Sequence, residues 1–184
     1  MTEKRYASDV KYKSSRDDYK TPPVIYNRLL KIFGANEFDY DVACSDFNIP
    51  AKNHFTRKEN GLKQEWNGFC FCNPPWKKTE KWIRKAVNEK TAITAFVIAS
   101  DRFYVKYMQD CVLKNERAVF LVMPKKQGFI IPGNENIPPV PSVGVAIVII
   151  ATDKLSAENI KNKINELNLF ETVAFQGGKY GKLQ

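Results

Sequence analysis

The chain has 184 residues, of which 43% are hydrophobic and 27% charged, a size and composition typical of one globular domain rather than of a disordered segment. No stretch approaches the roughly 18 uninterrupted apolar residues that a membrane span requires, and the polar N-terminus lacks the pattern of a signal peptide, so we expect a soluble intracellular protein. The 29 basic residues exceed the 20 acidic ones, giving a net charge of +9, which favours a nucleic-acid partner and a merely basic soluble protein about equally.

The first predicted elements follow a polar segment. Residues 1–18 mix cationic, acidic and small polar types without an apolar period, and we expect a flexible basic arm there, ahead of a single domain over residues 19–184. The segment Thr21-Pro22-Pro23 predicts a helix start, because Thr can cap a helix and Pro fits its first turn, and Gly34 predicts the stop. Residues 45–67 have no clear period and predict a long loop.

The rest of the chain alternates apolar runs with amphipathic segments. Strands are predicted at residues 38–43, 69–72, 93–99, 118–123 and 143–151. Helices are predicted from Thr79, from Ser100 or Asp101, and from near Ser156, while residues 124–141 predict a loop. Because helices separate strands that are mostly apolar throughout, the pattern predicts an α/β domain with a largely parallel sheet.

The cysteines do not have the spacing of a metal site. Cys44, Cys70, Cys72 and Cys111, with the single histidine His54, form neither a Cys-x-x-Cys pair nor a Cys/His zinc pattern. Cys70 and Cys72 lie two apart on a predicted strand and should point to one face. We therefore predict four reduced thiols, without a structural zinc or a disulfide framework.

Two predicted strand ends carry residues suited to chemistry, and in parallel sheets ligands bind beyond the carboxyl ends of the strands. Asp39 and Asp41 belong to the first strand, and Asn73-Pro74-Pro75-Trp76 directly follows the second. The two prolines make a stiff turn with pre-aimed carbonyls. With the Asn73 side-chain oxygen as acceptor and the Trp76 ring as a stacking surface, this tetrad suits a planar group that bears an NH₂. An ordinary strand exit with a core tryptophan is the alternative.

Asn-Pro-Pro followed by an aromatic residue is the catalytic signature of amino-group methyltransferases that use S-adenosylmethionine. The chain resembles, over roughly residues 19–151, the small phage and prophage DNA N6-adenine methyltransferases. Besides the tetrad, the matching positions are 19–23, 38–45, Asn48, Phe55-Thr56, Gly61-Leu62, Trp66, Gly68, Trp82, Lys85-Ala86 and Pro141-Ser142.

The resemblance implies a Rossmann-like methyltransferase fold, with a mostly parallel central sheet and helices on both faces. It implies that S-adenosylmethionine binds between the first strand end and the tetrad, with Asp41 first and Asp39 second as the acid that closes the strand. The other cofactor-binding candidates are Thr21, Pro22, Ala43 and Asn73. Thr21 as a helix cap and Asp39 as a residue that keeps a sheet edge solvated are the alternatives.

Three segments depart from the family's pattern. Ala43-Cys44-Ser45 contains no glycine where many methyltransferases have a glycine-rich turn, although the small phage family shares this lack. Ser100-Asp101-Arg102 replaces a Pro-Ala-Arg type of segment, and Trp76 replaces the more frequent Tyr or Phe. Because this turn lacks glycine, a non-catalytic methyltransferase fold that only binds nucleic acid is an alternative interpretation.

The implied reaction is methyl transfer to the exocyclic N6 of an adenine flipped out of DNA. Hydrogen bonds to Asn73 and to the Pro74 carbonyl would localise the amine lone pair, Pro75 would stiffen the turn and Trp76 would stack on the base. A neutral amide is no general base, so the excess proton would leave through water, and no metal is needed. Residues 124–141 are assigned to target recognition, and four lysines to phosphates: Lys77, Lys78, Lys125 and Lys126.

Other methyl acceptors remain open, because the same tetrad serves enzymes that methylate a protein glutamine, or guanine and adenine in RNA. The resemblance places the protein in the cytoplasm of a bacterial host, as a phage- or prophage-encoded enzyme with no membrane partner. Both a monomer and a dimer are consistent with the sequence, and residues 170–184 have no predicted role.

Overall fold

The computed structural model describes residues 19–45, 49–131 and 143–178, and the predicted N-terminal arm lies outside them. The strands are β1 (Phe38–Asp41), β2 (Ala51–His54), β3 (Gly68–Cys72), β4 (Ala92–Ala99), β5 (Ala118–Val122), β6 (Val145–Ile150) and β7 (Phe175–Gln176). The helices are α1 (Pro23–Phe33), α2 (Thr79–Asn88), α3 (Lys106–Met108) and α4 (Lys154–Leu167).

The strands form one sheet in the order β2-β1-β3-β4-β6-β5-β7, which is parallel in one half and antiparallel in the other. β1 pairs in parallel with β2 and with β3, and β3 pairs in parallel with β4. β6 lies between β4 and β5 and runs opposite to both, and β7 runs opposite to β5. The sheet is therefore mixed rather than largely parallel. Sequence cannot separate the two, because a strand buried on both faces is apolar whichever way its neighbours run.

Helices cover both faces of the sheet, as predicted. On one face, α1 and α4 pack against the strands through residues such as Leu29 and Ile164. On the other face, α2 and α3 do so through residues such as Ile83 and Met108. Because both faces are covered, the central strands β4 and β6 are buried along almost their whole length.

Three elements differ from the prediction. Residues 45–67, predicted as a loop, contain β2, an edge strand of mixed polarity that is only partly buried and so lacks an apolar run. The helix predicted after β4 is broken into a 3-10 turn (Ser100–Tyr104), α3 and a π turn (Gln109–Leu113). β7 lies in the segment for which no element was predicted.

All four cysteines are buried free thiols, and Cys70 and Cys72 share one face of β3, as predicted. Burial raises the pKa of Cys70 to about 12 and that of Cys72 well above its ordinary value, so both stay protonated. Over the three described ranges, no cluster of ligating side chains is suited to a metal ion. No helix in those ranges is long and apolar enough to cross a membrane.

Candidate active site

A cleft lies at the carboxyl ends of β1 and β3, where a ligand site is expected beside parallel strands. Asp41 stands opposite Phe71 in the register of these neighbouring strands, so the residues that follow them meet. The cleft is open to solvent. It is lined by Tyr19, Thr21, Asp41, Ala43, Ser45, Ile49, Phe71 and Asn73. Four of the predicted cofactor residues, at positions 21, 41, 43 and 73, are thus brought together.

The Asn73 side chain is held by three hydrogen bonds. Its amide nitrogen donates to the backbone oxygen of Tyr19 at 3.3 Å and to Thr21 Oγ1 at 3.1 Å. Its oxygen Oδ1 accepts from Trp76 Nε1 at 3.3 Å. A carbonyl oxygen has two lone pairs, so Oδ1 retains the capacity to accept one further hydrogen bond from a ligand in the cleft.

The turn that follows Asn73 leads directly into α2. Pro74 is buried, Pro75 is half-buried, and Trp76 begins a 3-10 turn (Trp76–Lys78). Thr79 Oγ1 donates to the Trp76 carbonyl at 2.9 Å, which connects the turn to the helix. The half-buried Trp76 ring meets Phe129 edge to face, with ring centroids 5.4 Å apart. Residues 74–76 adjoin the cleft through Asn73 but are not among its lining residues.

Thr21 faces the cleft rather than capping α1. The N-cap residue of α1 is Pro22, and no side chain caps the helix there. Thr21 is 2% exposed, and its hydroxyl accepts from the Asn73 amide. The helix-cap alternative for Thr21 is therefore wrong, and this residue connects the segment before α1 to the tetrad. Pro22 is buried next to it without lining the cleft.

Asp41 closes β1 at the cleft. Its side chain is buried, and its Oδ1 accepts from the backbone N–H of Ala43 at 3.2 Å. This hydrogen bond shapes the turn after β1, the place where many methyltransferases carry glycine. A glycine is not needed here, because none of the described residues 42–45 has a positive φ.

A loop supports this turn from behind. Gly61 approaches the Val42 carbonyl so closely that a Cβ at position 61 would stand 2.0 Å from its oxygen. Trp66 Nε1 donates to the Gly61 carbonyl at 2.8 Å, and the fully buried Trp66 ring stacks on Trp82. Two residues that carry the family resemblance, Gly61 and Trp66, therefore fix the loop that backs the cleft.

Asp39 lies on β1, away from the cleft and beside the first residues of the neighbouring strand β3. Its Oδ1 accepts from Lys52 Nζ at 2.8 Å, and its Oδ2 accepts from the backbone N–H of Phe69 at 2.8 Å. The Lys52 ammonium and the Phe69 amide lower the pKa of Asp39. Because β1 pairs with β2 and with β3, Asp39 is not on an edge strand, and its contacts connect it to both neighbouring strands. Asp39 is not among the residues that line the cleft, and its cofactor role stays a prediction.

The four predicted phosphate-binding lysines are all exposed, but their surroundings differ. Lys77 and Lys78 directly follow the tetrad, in the 3-10 turn. Lys125 Nζ lies 3.6 Å from a Glu171 carboxylate oxygen, so this ammonium already has an acidic neighbour. Lys126 is exposed beside it.

The first part of the predicted recognition loop reaches the tetrad. Ile130 and Lys20 exchange two backbone hydrogen bonds, at 3.0 and 3.1 Å, and thereby tie the loop to the segment that holds Asn73. This placement sets Phe129 against Trp76. Residues 132–141 of the loop lie outside the described residues.

Two partners of the tetrad were not predicted. The Tyr19 carbonyl is a backbone group, so no side-chain pattern points to it beyond its place beside Thr21. Phe129 belongs to an apolar run of three residues in an otherwise polar loop, and that contrast was the available signal. Neither residue type by itself indicates a contact with Asn73 or Trp76.

Known proteins are similar to this chain over the region that contains the cleft. A profile of the DNA N-6-adenine-methyltransferase (Dam) family matches residues 8–138, which include every residue that lines the cleft. A DNA N-6-adenine-methyltransferase of Haemophilus phage HP1 (strain HP1c1) is 24% identical to this chain over 112 residues. That similarity covers 59% of this chain and 64% of the phage protein, less than two thirds of the relative's length. No solved structure matches this chain.

Proposed function

This chain belongs to the DNA N-6-adenine-methyltransferase family, and we propose on this premise that it transfers the methyl group of S-adenosylmethionine to the exocyclic N6 of adenine in DNA. The observation that carries the proposal is the Asn73 side chain. Three hydrogen bonds hold it at the edge of a polar cleft. An acceptor with a fixed orientation beside a cleft can hold the substrate amine close to a cofactor that is bound in the cleft.

The residues of the cleft fit S-adenosylmethionine by their chemistry. The buried Asp41 carboxylate accepts hydrogen bonds from donors such as ribose hydroxyls, and Thr21 offers a hydroxyl. When bound, the cofactor supplies an electrophilic sulfonium methyl group. Ala43, whose N–H donates to Asp41, also lines the cleft.

Asn73 acts on the nucleophile. The lone pair of the adenine amine is delocalised into the ring, so the amine is a weak nucleophile. Hydrogen bonds from the amine to Asn73 Oδ1 and to the Pro74 carbonyl draw the nitrogen towards tetrahedral geometry and localise that lone pair. Holding the amine in line with the methyl group contributes on the order of several kcal/mol. Because a neutral amide does not take up a proton, the excess proton leaves to water after transfer.

Access to the site requires that the base leave the DNA stack. Stacking of a base on an aromatic ring such as that of Trp76 is worth about 1–3 kcal/mol. Lys77 and Lys78, exposed directly beyond the tetrad, are positioned for phosphate contacts, and Lys126 is a further exposed cation. Lys125 serves the same purpose only after exchanging Glu171 for a phosphate.

We assign the mixed sheet to a Rossmann-like methyltransferase fold. The support is the parallel half β2-β1-β3-β4, the cleft at its carboxyl ends and the helices on both faces. Since its substrate is DNA, we place its activity in the cytoplasm of a bacterial cell, as the phage origin of the similar protein suggests.

The test is mass spectrometry of nucleosides after incubation with S-adenosylmethionine and mixed-sequence DNA. We expect N6-methyladenine with the native protein and a loss of at least about 100-fold with Asn73→Ala, because the amine loses its acceptor. Asn162→Ala, an exposed asparagine of α4, is the matched control and should keep full activity.

Parallel incubations with RNA and with a protein extract distinguish the other acceptors. Methylation of RNA or of a glutamine side chain, with none in DNA, would replace the proposed substrate but retain the site. Binding of S-adenosylmethionine without transfer to any acceptor would contradict the proposal and indicate a non-catalytic fold.

A further inference from the structure

We infer that the Trp76 indole N–H and the Tyr19 carbonyl together lock the Asn73 amide in one orientation, so that it offers the substrate only a hydrogen-bond acceptor. Trp76 is then a positioning residue for Asn73, in addition to any stacking on the base. The inference rests on the proposed function for its substrate, a base with an exocyclic amine.

The lock follows from the donors and acceptors around the amide. Rotation by 180° about the Cβ–Cγ bond of an asparagine exchanges its oxygen and nitrogen at almost equal size. The Tyr19 backbone oxygen can only accept, so it selects the NH₂ group, while Trp76 Nε1 can only donate, so it selects Oδ1. Reversing the amide would break both hydrogen bonds and would set oxygen against oxygen and N–H against N–H.

Thr21 completes this arrangement without determining it. A hydroxyl both donates and accepts, so it tolerates either end of an amide, and here its Oγ1 accepts the second N–H of Asn73. Both amide N–H groups are thereby used inside the protein. The remaining lone pair of Oδ1 is the ligand-binding capacity that the side chain keeps.

The lock makes the tetrad selective for one kind of base edge. An exocyclic NH₂ donates to the free lone pair, whereas a carbonyl at the same place would oppose its own lone pairs to those of Oδ1. Two opposed acceptors are disfavoured, because neither oxygen then has a hydrogen-bond donor. Phenylalanine at position 76 has no N–H group, so the lock depends on the tryptophan of this chain.

A double-mutant cycle separates positioning from stacking. The two oxygens of a carboxylate are equivalent, so a 180° rotation of the group changes nothing. Asn73→Asp therefore removes the choice between two orientations that the lock makes. We expect Trp76→Phe to slow single-turnover methyl transfer about fivefold or more in the native background, and less than about twofold in the Asn73→Asp background. Equal slowing in both backgrounds would show that Trp76 acts by stacking alone and would overturn the inference.

An NMR measurement tests the lock without any turnover. In ¹⁵N-labelled protein, the Asn73 side-chain NH₂ signals, identified by their loss in Asn73→Asp, should show contacts to Tyr19 and Thr21. We expect Trp76→Phe to weaken these contacts and Trp82→Phe, which removes an indole from the core on the other face of the sheet, to leave them intact. Unchanged contacts in Trp76→Phe would overturn the inference. If native protein transfers no methyl group, the proposed function fails while this measurement still decides the lock.

Discussion

The polar groups at the two ends of the parallel strands differ in what they contact. At the amino end, Asp39 is bound by Lys52 and by the Phe69 N–H. At the same edge of the sheet but several strands away, Arg117 donates to three backbone carbonyls, those of Ala151 at 2.8 Å, Val87 at 3.0 Å and Glu89 at 2.8 Å. At the carboxyl end, the side chains of Asp41 and Asn73 line an open cleft.

The comparison shows that residue type and spacing do not by themselves separate a structural from a functional residue. Asp39 and Asp41 stand two residues apart on β1, yet Asp39 contacts the neighbouring strands and Asp41 faces the cleft. The difference lies in which end of the strand each residue occupies. We therefore expect substitutions at the amino end to change stability and substitutions at the carboxyl end to change ligand binding and catalysis.

The largest expected effect on stability comes from Arg117. Arg117→Met leaves three partly buried carbonyls without a charged donor, and we expect the free energy of unfolding to fall by about 3 kcal/mol. Denaturant titration measures this loss. The methyl-transfer rate of the folded variant should match that of native protein. A loss of activity without a loss of stability would contradict the assignment of Arg117 to structure rather than to catalysis.

Asp41 and Asp39 form a matched pair for cofactor binding. We expect Asp41→Asn to weaken S-adenosylmethionine binding by roughly 10-fold or more, because a carboxylate at the cleft becomes a neutral amide. Asp39→Asn should change that affinity by less than about twofold. Calorimetric titration measures the affinity of both variants. Equal losses of affinity would show that Asp39 also belongs to the cofactor site.

A smaller effect concerns pH. The Lys52 and Phe69 contacts lower the pKa of Asp39 below its ordinary value of 3.8, so they stabilise the folded protein at neutral pH. That contribution should be lost as the pH falls below 3.8 towards the lowered pKa. Because Asp39 is partly exposed, we expect less than about 1 kcal/mol. The difference in unfolding free energy between native protein and Asp39→Asn, measured from pH 7 downwards, should shrink with acidification. A constant difference would show that the carboxylate charge is not involved.

The sequence predicted those parts of the fold that depend on continuous apolar runs and on turn residues. The central strands and α1 with its Gly34 stop are of this kind. The helices on both faces were implied by the family resemblance. The edge strand β2 and the direction of β6 were not accessible, because partial burial weakens the pattern and strand direction leaves no mark in it. The broken helix after β4 carries its apolar residues at helical spacing, so its 3-10 and π turns were not visible either.

The candidate site was predictable where a side chain itself carries the chemistry. Asn73 and Asp41 were selected for their side chains at strand ends, whereas Thr21 and Ala43 were candidates only through the family resemblance, and all four line one cleft. The hydrogen bond between Trp76 and Asn73 was not predicted, because it depends on the conformation of the turn between them. The Tyr19 carbonyl was invisible for a related reason, since every residue has the same backbone oxygen.

The most direct test of the division between the two ends of the strands is a crystal structure with S-adenosylmethionine bound. We predict the cofactor in the cleft between Thr21, Asp41 and Asn73, with Asp39 still bound to Lys52. A cofactor that contacts Asp39, or that binds away from the carboxyl ends of β1 and β3, would contradict this account of the site.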